Sequence, residues 1–335
     1  MQSTTFQTSI AIQLQDQTKK DFTDFVEKGI MVPSNALPQQ LVEISKKAAP
    51  ILARDTFLAE AMKALAAGDL EYIIVNNMPI DRHMCKPPLN GQRPANKYSW
   101  TSELGLLALL DIGGISPLSY KEEKGEELVH QVAPSPSQEN TRSNSGRIKL
   151  GMHSDNSILN AEHRPDFLAL LALINEPETP TEIASVQKAS ALLSSKHQRL
   201  LQQPLYRLKT PDSFDKAFGN RKIVSEYRPI VGRDAKGSLY AAGNLYAVES
   251  KDASAELALA AFGEALEDVS ESIVLQTGMA IVFNNGKVFH SRGTIKPGDR
   301  YLQRVFGKTN LHDIRVATDT TANDYIFSIK PLLLF

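Results

Sequence analysis

Apolar residues return at intervals of three and four through LPQQLVEISKKAAPILARDTFLAEAMKALAAGDL, residues 37–70, a periodicity that predicts helix. Pro50 is expected to split it into two helices, with Gly68-Asp69 closing the second. EYIIVNNMPID at 71–81 is a short apolar run ending in turn residues and predicts a buried strand. Another helix is expected around Trp100–Leu110. APSPSQENTRSNSGR at 133–147 is nearly all Pro, Ser, Asn and other polar residues, the composition of a long loop, either a functional lid or disordered. From Ile148 the pattern changes. DFLALLALI, EIASV, IVSEYRPIVG, SLYAAGNLYAV, SIVLQ, MAIVFNNG, KVFHSR and RYLQRVFG are separated by turn residues, with helical patches at 186–203 and 253–272. Many short strands with Gly and Asn turns favour a sandwich or jelly roll. The expectation is a single α+β domain over 1–335: a mainly helical part at 1–112, and most of a jelly-roll core at 113–335.

Composition narrows the function classes. With 42% hydrophobic and 22% charged residues among 335, the chain has enough apolar material for a sizeable core. A net charge of −1 offers no basic surface for nucleic acid or anionic membranes. The longest apolar runs, such as FLALLALI, are far below the roughly 20 residues of a membrane span. MQSTTFQTSIAIQLQDQ lacks the basic and long apolar regions of a secretory signal. Cys85 is the only cysteine, which excludes an internal disulfide and suits a reducing cytoplasm. KEEKGEE at 121–127 reads as a solvated turn, and His83, His130, His197 and His312 as ordinary residues.

The candidate chemistry begins at GMHSDNS, 151–157. Seven His and 38 acidic residues in 335 make about one His-x-Asp/Glu expected by chance, and one occurs, so His153 and Asp155 alone carry no weight. A second histidine changes this. In TGMAIVFNNGKVFHSRG, 277–293, His290 falls on the returning strand of a hairpin, and a jelly roll can bring that strand beside His153. Two His and one Asp on one face leave up to three coordination positions open, the facial triad of non-heme Fe(II) sites; a structural zinc site would fill all four. Arg300 and Arg304 follow in PGDRYLQRVFG, and a guanidinium fork pairs bidentately with a dicarboxylic cosubstrate. Two other classes stay open: a zinc hydrolase, which would leave the paired arginines unexplained, and a non-catalytic jelly-roll binding protein, against which an intact triad with Arg300 speaks.

GMHSDNSILNAEHRPDFLALLALINEPETPTEIASV at 151–186 and FNNGKVFHSRGTIKPGDRYLQRVFG at 283–307 resemble the Fe(II)/2-oxoglutarate-dependent oxygenases, in the clavaminate synthase-like branch that includes amino-acid hydroxylases. The resemblance is clearest from about 146 to 310. It implies a double-stranded β-helix (jelly-roll) fold, with Fe(II) held by His153, Asp155 and His290 and 2-oxoglutarate and O₂ as cosubstrates. Arg300 matches the arginine that clamps the distal carboxylate of 2-oxoglutarate, with Thr181 assisting. Arg304, Ser143, Asn156 and Ser157 fall at substrate positions, the last two opening a lid. Three departures stand out. The carboxylate ligand is Asp where the branch commonly has Glu, and Arg300 follows His290 by only ten residues, so Arg300 and Arg304 can exchange roles. The strand at 240–250 lacks the acidic pair of arginine hydroxylases, which favours a neutral substrate. The implied reaction is hydroxylation of an unactivated aliphatic C–H of a free amino acid or amino-acid-derived natural-product intermediate. The same machinery serves desaturation or ring closure of a cyclic dipeptide-like substrate. Asp155 argues against a halogenase, where the carboxylate position is vacated for chloride.

Overall fold

A computed structural model describes residues 8–333 apart from 142, 212, 213, 215–217, 220 and 235; the first seven residues of the stretch read against a secretory signal lie outside it. Two segments pair in parallel at one edge of the main sheet: β1 (Ser9–Gln13) and β2 (Tyr72–Asn76). Between them lie α1 (Asp16–Asp24), α2 (Pro38–Leu52) and α3 (Thr56–Ala67). Pro50 does not break α2. The helix runs past it to Leu52, and the division comes at Asp55, whose side chain caps α3 by accepting from Leu58 N at 3.1 Å. Gly68 ends α3 in the left-handed region at φ 82°. α4 (Thr101–Ile112) follows, with Thr101 through Leu110 all buried between α2 and the sheet.

The remaining strands build two layers. β3 (Ser116–Tyr120), β4 (His130–Val132), β5 (Leu150–His153), β6 (Phe167–Asn175) and β7 (Thr181–Ser185) precede α5 (Val186–Leu192) and α6 (Ser195–Leu201). The stretch 186–203 is thus two helices, because the Ser194 side chain caps a fresh start. β8 (Tyr206–Leu208) pairs with β11 (Val248–Ser250), and β9 (Val231–Arg233) with β10 (Leu239–Ala241). α7 (Ala253–Asp268) leads to β12 (Glu271–Ile273), β13 (Ala280–Asn284), β14 (Val288–Arg292) and β15 (Arg300–Lys308). α8 (His312–Thr318) and β16 (Ile326–Phe327) close the fold. The large sheet runs β1-β2-β13-β6-β15-β3-β16, with β4 also on β15; the smaller runs β12-β7-β14-β5. This is the expected jelly roll flanked by helices, although the helical N-terminal third also supplies two strands to the large sheet.

The continuous apolar run of β6 is explained by its two neighbours. Leu168, Leu170 and Ala172 face the jelly-roll interior, while Phe167, Ala169, Leu171 and Leu173 face the helical layer. β15 alternates likewise, Leu302 and Phe306 inward and Tyr301 and Val305 toward the helices. A strand buried on both faces has no polar side to show.

Candidate active site

Strand geometry assembles the site. Side chains two apart share a face, so β15 turns Arg300, Leu302 and Arg304 into one cavity. In the smaller sheet β14 lies between β5 and β7, and His290 stands directly opposite His153 in the antiparallel register. The imidazole centroids are 4.2 Å apart. Asp155 follows just after β5, and His153, Asp155 and His290 each offer a ligand atom within 4.8 Å of the others. The cavity measures about 600 Å³ and is walled by all nine sequence-predicted residues: His153, Asp155, His290, Arg300, Thr181, Arg304, Ser143, Asn156 and Ser157.

Hydrogen bonds set the orientation of the three candidate ligands. His153 Nδ1 lies 2.9 Å from the Gly151 carbonyl oxygen, which only accepts. Nδ1 therefore carries a hydrogen, and Nε2 faces Asp155, 3.4 Å from Oδ1. His290 Nε2 is 3.9 Å from Asp155 Oδ2. Burial, with His153 adding to it, pushes His290 down to about 3, against the pull of Asp155. For Asp155 burial acts to raise the pKa, but Arg304 and the two imidazoles outweigh it and hold the carboxyl well below the usual carboxylate range. The result is a neutral imidazole at His290 and an ionised carboxylate beside it, donors suited to a divalent cation.

Asn285 locks Asp155 in place. Its Oδ1 accepts from Asp155 N at 2.8 Å, while its Nδ2 donates to the carbonyls of Asp155 (2.9 Å) and Pro165 (3.1 Å). The sequence shows this residue only as the middle of a tight turn. Asn284 makes that turn, its Oδ1 accepting from Gly286 N and Lys287 N, which leaves Asn285 free to reach across.

The two arginines differ in their surroundings. Arg304 is committed: Nη1 donates to Asp155 Oδ2 at 3.1 Å, and Nη2 lies 2.8 Å from His130 Nδ1 and 3.4 Å from Glu123 Oε2. Arg300 is buried with Nε and Nη1 lacking any hydrogen-bond partner. Burial and neighbouring Arg292 push it down to about 9, so it sits ready for an anion. Thr181 on β7 is buried and stands opposite Arg292 of β14. Ser143 spends its hydroxyl within its own loop, on Thr141 Oγ1 (2.9 Å) and Gln138 Oε1 (3.1 Å).

Two expectations need correcting. KEEKGEE is not simply a solvated turn, because Glu123 is buried and, with Lys124, lines the cavity. Burial pushes Glu123 up to about 7 in spite of Arg304. His130 is not an ordinary histidine: buried and held well below its usual range by burial and Arg304, it accepts from Arg304 and so must donate from Nε2 to Ser119 Oγ at 2.7 Å. In the stretch after Asp155, Asn156, Ser157, Ile158 and Leu159 are buried, and the last two belong to the core.

Comparison with known proteins agrees with this geometry. The chain is 26% identical over 265 residues to the L-asparagine oxygenase of Streptomyces coelicolor (strain ATCC BAA-471 / A3(2) / M145), covering 77% of each. It is 24% identical over 249 residues to clavaminate synthase 2 of Streptomyces clavuligerus, covering 71% of this chain and 74% of the relative. A crystal structure of asparagine oxygenase in complex with Fe(II), 2S,3S-3-hydroxyasparagine and succinate superposes with a TM-score of 0.80 at 23% identity, over 95% of this chain and 99% of that one. The profile of the taurine catabolism dioxygenase TauD, TfdA family matches residues 105–306, which hold every residue of the triad and both arginines. The chain belongs to that family and is a non-heme iron, 2-oxoglutarate-dependent oxygenase.

Proposed function

We propose that this oxygenase hydroxylates an unactivated aliphatic carbon of a free amino acid or an amino-acid-derived natural-product intermediate, acting on a small molecule in the cytoplasm. One observation carries the reading: the His153, Asp155 and His290 donor atoms and the unpartnered, buried Arg300 line one cavity. Imidazole and carboxylate donors without a thiol fit Fe(II), so these three residues are assigned to the metal. Arg300 and Thr181 are assigned to 2-oxoglutarate, because Arg304 is already engaged by Asp155, His130 and Glu123. Bound there, Fe(II) with 2-oxoglutarate and O₂ supplies the oxidising power that replaces C–H by C–OH, with succinate and CO₂ as by-products.

The protein's own share is positioning. Arg304, whose Nε still lacks a partner, is assigned to the substrate's α-carboxylate. Ser143, Asn156 and Ser157 border the same cavity. An amino-acid substrate is also what the relatives' names describe. The experiment is mass spectrometry of aerobic reactions with Fe(II), 2-oxoglutarate and ascorbate over free amino acids and neutral cyclic dipeptides, with succinate measured alongside. A product one oxygen heavier with matching succinate is expected. One two hydrogens lighter would mean desaturation or ring closure. Asp155→Ala is expected to lose at least about 100-fold in substrate-coupled succinate, since it removes one of three ligands; an Asp155→Ala protein with undiminished coupling would overturn the metal assignment.

A further inference from the structure

Among the described residues, the charges that line the cavity do not balance. Arg292, Arg300, Arg304 and Lys124 contribute cations to its wall, against Asp155, Glu123 and Glu122. Glu122 turns its carboxylate away, accepting from Ser328 Oγ (2.8 Å) and Ile329 N (2.9 Å). Lys209 also lines the wall, but Glu249 answers it at 2.7 Å. Fe(II) and the two carboxylates of 2-oxoglutarate bring equal and opposite charge. An amino acid with a neutral side chain is a zwitterion and adds none, so positive charge remains unmatched along this wall.

Lys124 carries that surplus. One of its N–H groups donates to Ser145 Oγ at 2.6 Å, and among the described residues no carboxylate lies within ion-pair distance of it. An ammonium has further donors to place. It sits in an unusual turn, with Lys124, Gly125 and Glu126 all at positive φ (46°, 68° and 67°), a conformation that costs energy at the two non-glycine positions. Gly91 leaves room for it, since a Cβ there would stand 3.1 Å from Lys124 Nζ. Burial, reinforced by Arg304, pushes Lys124 down to about 8, a penalty that a bound anion would offset. In the same wall Asn156 Nδ2 is a buried donor without a partner, and Asn244, whose Oδ1 is likewise unpartnered, can present either end of its amide.

We infer that the substrate's side chain is anionic, bearing a carboxylate or a sulfonate, and that Lys124 is the specificity-determining residue that receives it. This rests on the free amino-acid reading above and replaces the neutral substrate expected from the strand at 240–250 with an acidic one. The test is anaerobic calorimetry on protein loaded with Fe(II) and 2-oxoglutarate, titrated with L-aspartate, L-glutamate, L-cysteate, L-asparagine, L-glutamine and L-leucine. One of the anionic amino acids is expected to bind at least about 10-fold more tightly than its neutral counterparts, and which one identifies carboxylate or sulfonate. Lys124→Gln is expected to erase about 10- to 100-fold of that preference, and Lys124→Arg to keep it. A neutral amino acid that binds as tightly as the best anion, or a preference that survives Lys124→Gln, would overturn this inference alone. If none of the six binds here or raises succinate in the aerobic assay, the free amino-acid reading falls, and this inference with it.

Discussion

Glu123 shows at the residue scale how burial changes a side chain's work. In the sequence it is one acid in a run of charges, yet the fold places its carboxylate 3.4 Å from Arg304 and out of water. Its pKa rises from an ordinary 4.5 to about 7. Between those values the folded protein holds a proton that the unfolded chain has released, so stability falls as pH rises through that window. Glu123→Gln cannot ionise and lacks this slope. Thermal unfolding of the metal-free protein from about pH 5 to about pH 8 is therefore expected to decline less in the variant than in the wild type; parallel profiles would contradict the assignment. His153, Asp155, His290 and Arg300 were legible in sequence because their chemistry and spacing form a pattern. Glu123, Lys124 and His130 were not, since a charge run or lone histidine looks alike whether its neighbours are water or Arg304.

At the scale of elements, the hairpin between β13 and β14 joins the two layers of the site. Its turn needs only Asn284 and Gly286, and the buried Asn285 is left to hold the Asp155 backbone. Asn285→Ala removes a donor and an acceptor from buried backbone groups. We expect a loss of about 2–3 kcal/mol in denaturant unfolding, and Fe(II) affinity about 10- to 100-fold weaker in anaerobic titration. A variant with normal iron affinity would show that Asp155 is placed without it. The strands themselves were largely readable: KVFHSR, EIASV and DFLALLALI all form where their apolar patterns put them. Helix limits were less so, because the caps at Asp55 and Ser194 set the breaks rather than Pro50 or the apolar period.

The whole molecule is organised around the large sheet, which supplies both cores. β6, β13 and β15 each send alternate residues to the jelly-roll interior and to the helical layer. The two parts expected at 1–112 and 113–335 therefore share their central strands, and we propose that they unfold as one domain. Calorimetry is expected to give a single transition, whereas two resolved transitions would refute this. Leu171→Ala, on the helical side of β6, should cost about 2–5 kcal/mol and lower that one transition as a whole. No helix among the described residues is long and apolar enough to cross a membrane.

By itself the sequence determined the strand and helix propensities, the facing of each strand's alternate residues and the inventory of metal and anion donors, because these follow from local spacing and side-chain chemistry. Only the tertiary structure decided that His290 stands opposite His153, that Arg304 rather than Arg300 is tied to Asp155, and that Glu123 and Lys124 are inside. Those facts depend on strand pairings between residues more than a hundred positions apart and on which surfaces exclude water. Neither is encoded in any short window of the chain.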